Sequence, residues 1–167
     1  IAVPEWIPEN CIQCNQCAFV CPHATIRPVL LKKDEADKAP EGYTDVPAIG
    51  KGLEEYRFSM AVSVMDCQGC GNCADICPGK KGEKALVMRP IEEQREKGGE
   101  ALWDYLEALP VRDGGMNKYT VKGSQFRRPL LEFSGACAGC GETPYVKTVT
   151  QLYGDRMVIA NATGCSS

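Results

Sequence analysis

From Tyr56 to Val64 apolar and polar residues alternate: Tyr56, Phe58, Met60, Val62 and Val64 fall on one side, with Arg57, Ser59, Ala61 and Ser63 between them. Successive side chains of a strand point to opposite faces, so this period of two predicts a half-buried β-strand. Ala85-Leu86-Val87-Met88 predicts a matching strand. Thr25-Ile26-Arg27-Pro28-Val29-Leu30 predicts an edge strand, because Pro28 cannot donate to a second neighbour. Residues 32–54 are polar and turn-rich, with Lys32-Lys33-Asp34-Glu35, Pro40-Glu41-Gly42 and Gly50-Lys51-Gly52, which predicts a surface insertion whose charges are solvated.

Beyond Pro90 the period lengthens. Ala101, Leu102, Tyr105, Leu106 and Leu109 recur at helical spacing, so residues 91–109 contain a helix with an apolar stripe against a neighbour, and Trp103 and Tyr105 there are packing residues. Pro110, Gly114, Gly115, Gly123 and Pro129 mark 110–129 as a linker, with a new domain beginning near Pro129. Thr143-Pro144 then reads as a helix start; Val146, Val149 and Leu152 share one face, and Gly154 is the stop. Met157-Val158-Ile159-Ala160 is wholly apolar and predicts a buried parallel strand.

Composition narrows the class. Apolar residues make up 44% and aromatics 7% of 167, as in a globular protein of one domain and part of a second, and a net charge of −3 leaves no basic excess for nucleic acid. No apolar stretch approaches the roughly 20 residues that cross a bilayer, and no signal-peptide pattern opens the chain. The expectation is a protein neither secreted nor membrane-spanning. Ile1 at the start and Asn161-Ala162-Thr163-Gly164-Cys165-Ser166-Ser167 at the end read as an excised piece of a larger protein.

The eleven cysteines change the picture most. Cys11-x2-Cys14-x2-Cys17-x3-Cys21-Pro22 and Cys67-x2-Cys70-x2-Cys73-x3-Cys77-Pro78 repeat the ligand run of two-cluster bacterial [4Fe–4S] ferredoxins, in which the fourth cysteine ligates the other run's cluster. Cys11, Cys14, Cys17 and Cys77 are thus the expected ligands of one cube; Cys67, Cys70, Cys73 and Cys21 are those of the other. A cysteine every third residue on an irregular loop wraps one corner of a cube, whereas side chains three apart on a strand face opposite ways. Gly69 and Gly71 give the backbone freedom to hug sulfur. Structural zinc has no use for a third cysteine at i+6, and an odd number of thiols spaced three apart suits metal better than disulfides. Thiolate ligands also need a reducing compartment, which points to the cytoplasm. His23 follows Pro22 as a surface or packing residue, surplus to the eight ligands.

Cys137-Ala138-Gly139-Cys140 and Cys165 form a third set, Cys165 following the expected strand at the place where α/β sheets hold ligands. Alone, Cys137 and Cys140 read as a redox pair or half a zinc site. Behind two electron-transfer clusters, a third cluster lacking one ligand within these 167 residues is the leading reading.

Three runs, Val3-Pro4-Glu5-Trp6-Ile7-Pro8-Glu9-Asn10-Cys11, Gly135-Ala136-Cys137-Ala138-Gly139-Cys140-Gly141-Glu142-Thr143-Pro144-Tyr145 and Asn161-Ala162-Thr163-Gly164-Cys165-Ser166-Ser167, closely resemble pyruvate:ferredoxin (flavodoxin) oxidoreductase. The resemblance implies an α+β architecture: a 2[4Fe–4S] ferredoxin-like domain at 1–90 with the insertion at 32–54, helix and linker at 91–129, and at 130–167 the start of an α/β thiamine diphosphate domain. It implies that Cys137, Cys140 and Cys165 hold a proximal third cluster, and that Glu142 and Cys165 lie at the thiamine cofactor. It further implies an electron-relay segment of an enzyme that decarboxylates pyruvate to acetyl-CoA, with thiamine diphosphate and Mg²⁺, coenzyme A, an external ferredoxin or flavodoxin, the rest of the same polypeptide and a homodimer. The segment lacks a complete active site, having no Gly-Asp-Gly diphosphate motif, and no catalytic residue is assigned in it. A free-standing two-cluster ferredoxin is the alternative, and it leaves Cys137-x2-Cys140 unexplained.

Overall fold

The computed structural model describes residues 1–162 and 164. Its strands are β1 (Ala2–Trp6), β2 (Ile26–Leu31), β3 (Val46–Pro47), β4 (Arg57–Val62) and β5 (Leu86–Pro90). Its helices are α1 (Gln16–Val20), α2 (Lys33–Ala36), α3 (Asn72–Ile76), α4 (Ile91–Glu96), α5 (Gly99–Glu107), α6 (Val121–Gln125) and α7 (Thr143–Tyr153). β1 and β5 pair antiparallel, with Val3 opposite Arg89 and Glu5 opposite Val87. β2, β4 and β3 form a second antiparallel sheet, with Ile26 opposite Val62 and Leu30 opposite Phe58.

Two halves are related by an internal repeat: strand, cysteine run, short helix, strand. The helices α1 and α3 pack on each other between the two sheets. β2 is the edge strand that Pro28 requires, bonded only to β4. β1 escapes the sequence reading because Ala-Val-Pro-Glu-Trp has no clean alternation; β5 supplies its order.

The alternation along β4 holds, but the polar side is buried too: Ser59 is 3% and Ala61 1% exposed. The cause is α5, which lays Leu106 over Leu31 and Ala61. Phe58 centres the other face, edge-on to Trp6 and Phe126 at centroid separations of 5.9 and 6.3 Å.

Three expectations need correction. Residues 32–54 are not merely a surface insertion, since Leu53 is fully buried beside Phe58 and β3 extends the sheet. Nor is Glu35 only solvated, because Arg112 grips it with two hydrogen bonds of 2.8 and 2.7 Å. Residues 110–129 contain α6, capped by Thr120 Oγ1 accepting from the Gly123 amide, and Phe126 enters the core. Residues 91–109 do contain the expected helix, α5, which α4 precedes across a break where Gly98 turns left-handed at φ 80°.

Met157–Ala160 is not a strand: Val158 is 94% and Ile159 65% exposed. A strand needs a partner to satisfy its backbone, and no other strand lies beside this run among the described residues. The face of α7 also differs. Its buried residues are Thr143, Lys147, Thr150 and Gln151, while Val149 is exposed. They recur at helical spacing, but the surface they meet, α1 and α6, offers carbonyls and amides instead of methyls.

Arg27 joins these layers. Its Nε donates to Ala24 O and its Nη1 to Glu107, each at 2.8 Å, its Nη2 reaches Glu132, and its guanidinium lies 4.9 Å from the Trp103 ring centroid. Trp103 is therefore a packing residue, stacked edge-on against Phe133. Arg27→Met leaves Glu132 without its partner and Glu107 with Arg128 alone, so the expected loss is about 2 kcal/mol, below the range for fully buried pairs. A lower urea midpoint for loss of helical signal checks it.

Candidate metal centres

Each ligand run bends through two left-handed residues. In the second run these are Gly69 and Gly71, at φ 68° and 82°. A Cβ on Gly69 would stand 2.7 Å from Ala2 O, so β1 closes over a loop that only glycine fits. In the first run the same positions are Gln13 and Asn15, at φ 57° and 61°. Asparagine tolerates this region, and glutamine does so at a cost. Both are 1% exposed, and their side chains are tied down. Gln13 donates to Pro47 O and accepts from the Ile49 amide, both at 2.8 Å, and Asn15 donates to Lys122 O at 2.9 Å. The segments around β3 and α6 thus hold the first run in shape. The unusual residues were visible in the sequence, but their partners lie 34 or more positions away.

After each run comes one short helix and then an extended cysteine, Cys21 at ψ 116° and Cys77 at ψ 117°. This turn throws the fourth thiol out of its own loop. Cys11, Cys14 and Cys17 line one cavity together with Cys77, Met60 and Leu86. Cys67, Cys70 and Cys73 line the other together with Cys21, Thr25 and His23. Among the described residues no three His, Cys, Asp or Glu groups converge on a point suited to one ion; the thiols ring a space instead.

Burial opposes ionisation here. It pushes the Cys73 thiol up to about 12, with repulsion from Cys21, Cys67 and Cys70 adding to it, and it raises Cys11, Cys17 and Cys67 as well. Four crowded thiolates in such a place need positive charge among them, and a metal cluster supplies it by displacing their protons. Donors to sulfur are also present: the Gln13 amide lies 3.4 Å from Cys11 Sγ, and Thr25 Oγ1 lies 3.4 Å from Cys21 Sγ. A four-thiolate iron–sulfur cube fits both donor sets.

His23 is a packing residue and not a surface one, 3% exposed, with Nδ1 3.1 Å from Ser134 O. The Phe133 amide donates to His23 O at 3.1 Å. The segment leading to the third cysteine set is therefore pinned to the second cavity. Gly139 abuts it as well, since a Cβ there would sit 3.4 Å from Cys70 Cβ.

Cys140 stands before α7, where the Thr143 hydroxyl and then the Thr143 and Glu142 amides hold its thiol below the ordinary range. The Cys140 amide donates to Cys137 O at 3.1 Å. Cys137 is exposed, and so is Glu142, the residue at the cap of α7; Thr143 and Pro144 are its first turn. Cys165 lies outside the described residues.

Two lysines escaped the sequence reading. Lys84 Nζ donates to Asp75 O at 2.9 Å and Cys77 O at 2.7 Å. Lys147 Nζ donates to Ala18 O and, at 3.0 Å, to Cys21 O.

The sequence matches the 4Fe-4S dicluster domain family over residues 8–80. Over all of its residues it is 58% identical to a pyruvate-flavodoxin oxidoreductase of Klebsiella pneumoniae and 60% identical to a pyruvate:ferredoxin oxidoreductase of Moorella thermoacetica. It is 48% identical, over 99% of its residues, to a mitochondrial pyruvate dehydrogenase (NADP+) of Euglena gracilis. The chain spans 14% of the length of the first two relatives and 9% of the third. No helix among the described residues is long and apolar enough to cross a membrane.

Proposed function

Because this chain belongs, as one segment, to the pyruvate:ferredoxin (flavodoxin) oxidoreductase family and contains a 4Fe–4S dicluster domain, we propose that it is the electron-relay segment of a cytoplasmic 2-oxoacid oxidoreductase acting on pyruvate. The observation that carries this reading is the pair of cavities, each lined by three cysteines of one run and the fourth of the other. In this reading Cys11, Cys14, Cys17 and Cys77 hold one cube, and Cys67, Cys70, Cys73 and Cys21 the other.

When bound, such cubes supply one-electron storage at potentials set by sulfur hydrogen bonds, charge and burial. The chain's own part is to exclude water and fix those terms. Met60 and Leu86 line the wall of the first cavity, and Ile26 and Met88 that of the second. The Gln13 amide and Thr25 hydroxyl direct dipoles at ligand sulfur.

Residues 130–167 are assigned to the start of the thiamine diphosphate domain. Cys137, Cys140 and Cys165 are three ligands of a proximal cube, and Glu142 lies at the thiamine diphosphate–Mg²⁺ site. The abutment of Gly139 on Cys70 supports this, since it sets the third cysteine pair beside the second cavity. The exposed Glu142 is free to meet a cofactor carried by other parts of the polypeptide. Pyruvate and coenzyme A as substrates, an external ferredoxin or flavodoxin as acceptor, and a homodimeric assembly complete the proposal.

Metal analysis tests the reading. The chain purified without oxygen is expected to carry about eight irons and as much labile sulfide in its two complete sites. Stoichiometric zinc without sulfide would overturn it.

A further inference from the structure

Lys84 and Lys147 occupy equivalent places in the two halves. Each donates to the peptide oxygen of a fourth cysteine, Cys77 or Cys21, and to a carbonyl in the last turns of the preceding helix, α3 or α1. Carbonyls at a helix end carry the negative end of the helix dipole, so a cation there is favourable even where, as at Ala18 O, the Cys21 amide also donates at 3.3 Å. Capping alone therefore accounts for a donor at each site. It does not account for the difference between the two: Lys84 is exposed, whereas Lys147 is 1% exposed.

An isolated ammonium is costly to bury unless opposite charge lies close by. No carboxylate among the described residues pairs with Lys147; burial pushes its ammonium down to about 8, the Cys21 thiolate opposes that, Arg27 repels it and Cys17 attracts it more weakly, so it stays mostly protonated at neutral pH. Arg27 is itself committed to Glu107 and Glu132. A neutral donor could cap α1 at less cost, so the full charge is matched to the thiolates.

We propose that Lys147 is a positioning residue whose buried charge raises the reduction midpoint of the cube held by Cys67, Cys70, Cys73 and Cys21. An added electron increases the negative charge beside the ammonium, and with little water to screen it the reduced state gains more than the oxidised state. Lys84 caps Cys77 in the same way, but solvent screens its charge, so its effect on the other cube is small. The two halves, alike in ligands, thereby differ in electrostatics through a lysine that α7 brings from outside the repeat.

This inference rests on the assignment of the eight cysteines to two cubes, which iron and sulfide content of the parent protein tests separately. The deciding measurement is an EPR-monitored redox titration of the full-length protein, purified anaerobically, with Lys147→Met, Lys147→Gln, Lys147→Arg and Lys84→Met compared with the parent. Lys147→Gln keeps a hydrogen-bond donor without the charge, and Lys147→Arg keeps both. Lower midpoints for the Cys21 cube in the two neutral variants, parental values in Lys147→Arg and a smaller shift of the Cys77 cube in Lys84→Met are the expected results. A parental midpoint in either neutral variant would overturn the proposal, as would an equal drop in Lys147→Arg or a shift as large in Lys84→Met. If neither neutral variant retains the cube, its retention in Lys147→Arg still assigns the role to charge, and its loss in all three assigns Lys147 to packing and refutes the inference.

Discussion

Replacing Cys21 by alanine is expected to remove the cube of the second cysteine run, although Cys21 belongs to the first. Iron content should fall by about four per chain, and the remaining spectrum should match that of Cys73→Ala and differ from that of Cys17→Ala. The reason is geometric: the chain leaves α1 in an extended conformation at Cys21, so the thiol faces the cavity lined by Cys67, Cys70 and Cys73. Cys77→Ala is expected to give the reciprocal result. A Cys21→Ala protein that resembled Cys17→Ala would mean that each run is self-sufficient, and the crossed arrangement would be wrong.

The second large effect is expected at Cys140. In the full-length protein Cys140→Ala should abolish pyruvate-dependent reduction of ferredoxin or flavodoxin, a loss beyond the roughly 10–100-fold that follows removal of an outer-shell partner. The signals of the other two cubes should persist. The helix-end environment of Cys140 favours the thiolate, and its loop lies against Cys70, so this cysteine is suited to bind metal next to the second cavity. Measuring turnover together with the spectrum separates the possibilities. Near-parental turnover would remove Cys140 from the relay, and loss of all iron signals would show that the loop only stabilises the fold.

What was legible in the sequence was what chemistry constrains locally. Three thiols on one cube force a fixed spacing, and the strand at 57–62 must alternate to present Phe58 and Met60 inward, so both can be read without knowing their neighbours. Residues whose state depends on distant partners were not legible. Gln13 and Asn15 look like ordinary polar residues until Pro47, Ile49 and Lys122 come to meet them. The stretch 110–129, with Gly114, Gly115 and Gly123, reads as a linker, yet Thr120 caps residues 121–125 into a helix against α1. On α7 three apolar residues point to one buried face, while the surface beneath offers carbonyls that Lys147 and Gln151 reach. Met157–Ala160 has strand-forming residues without a strand beside it among the described residues.

The crossing of the two halves also sets a timetable for synthesis. Cys17 and Cys77 line one cavity but are 60 positions apart in the chain. A ribosome adding about 5–20 residues per second needs roughly 3–12 s to cover that distance. During this interval three thiols of the first run have emerged without their fourth, and neither half has the other to pack against. Insertion of iron during translation must therefore wait, or stop at an incomplete and oxidisable set, until Pro78 has been made. In the proposed crossed arrangement the ligands of the second site are complete at Cys73 and those of the first at Cys77, so neither centre can be finished before the second run has been made.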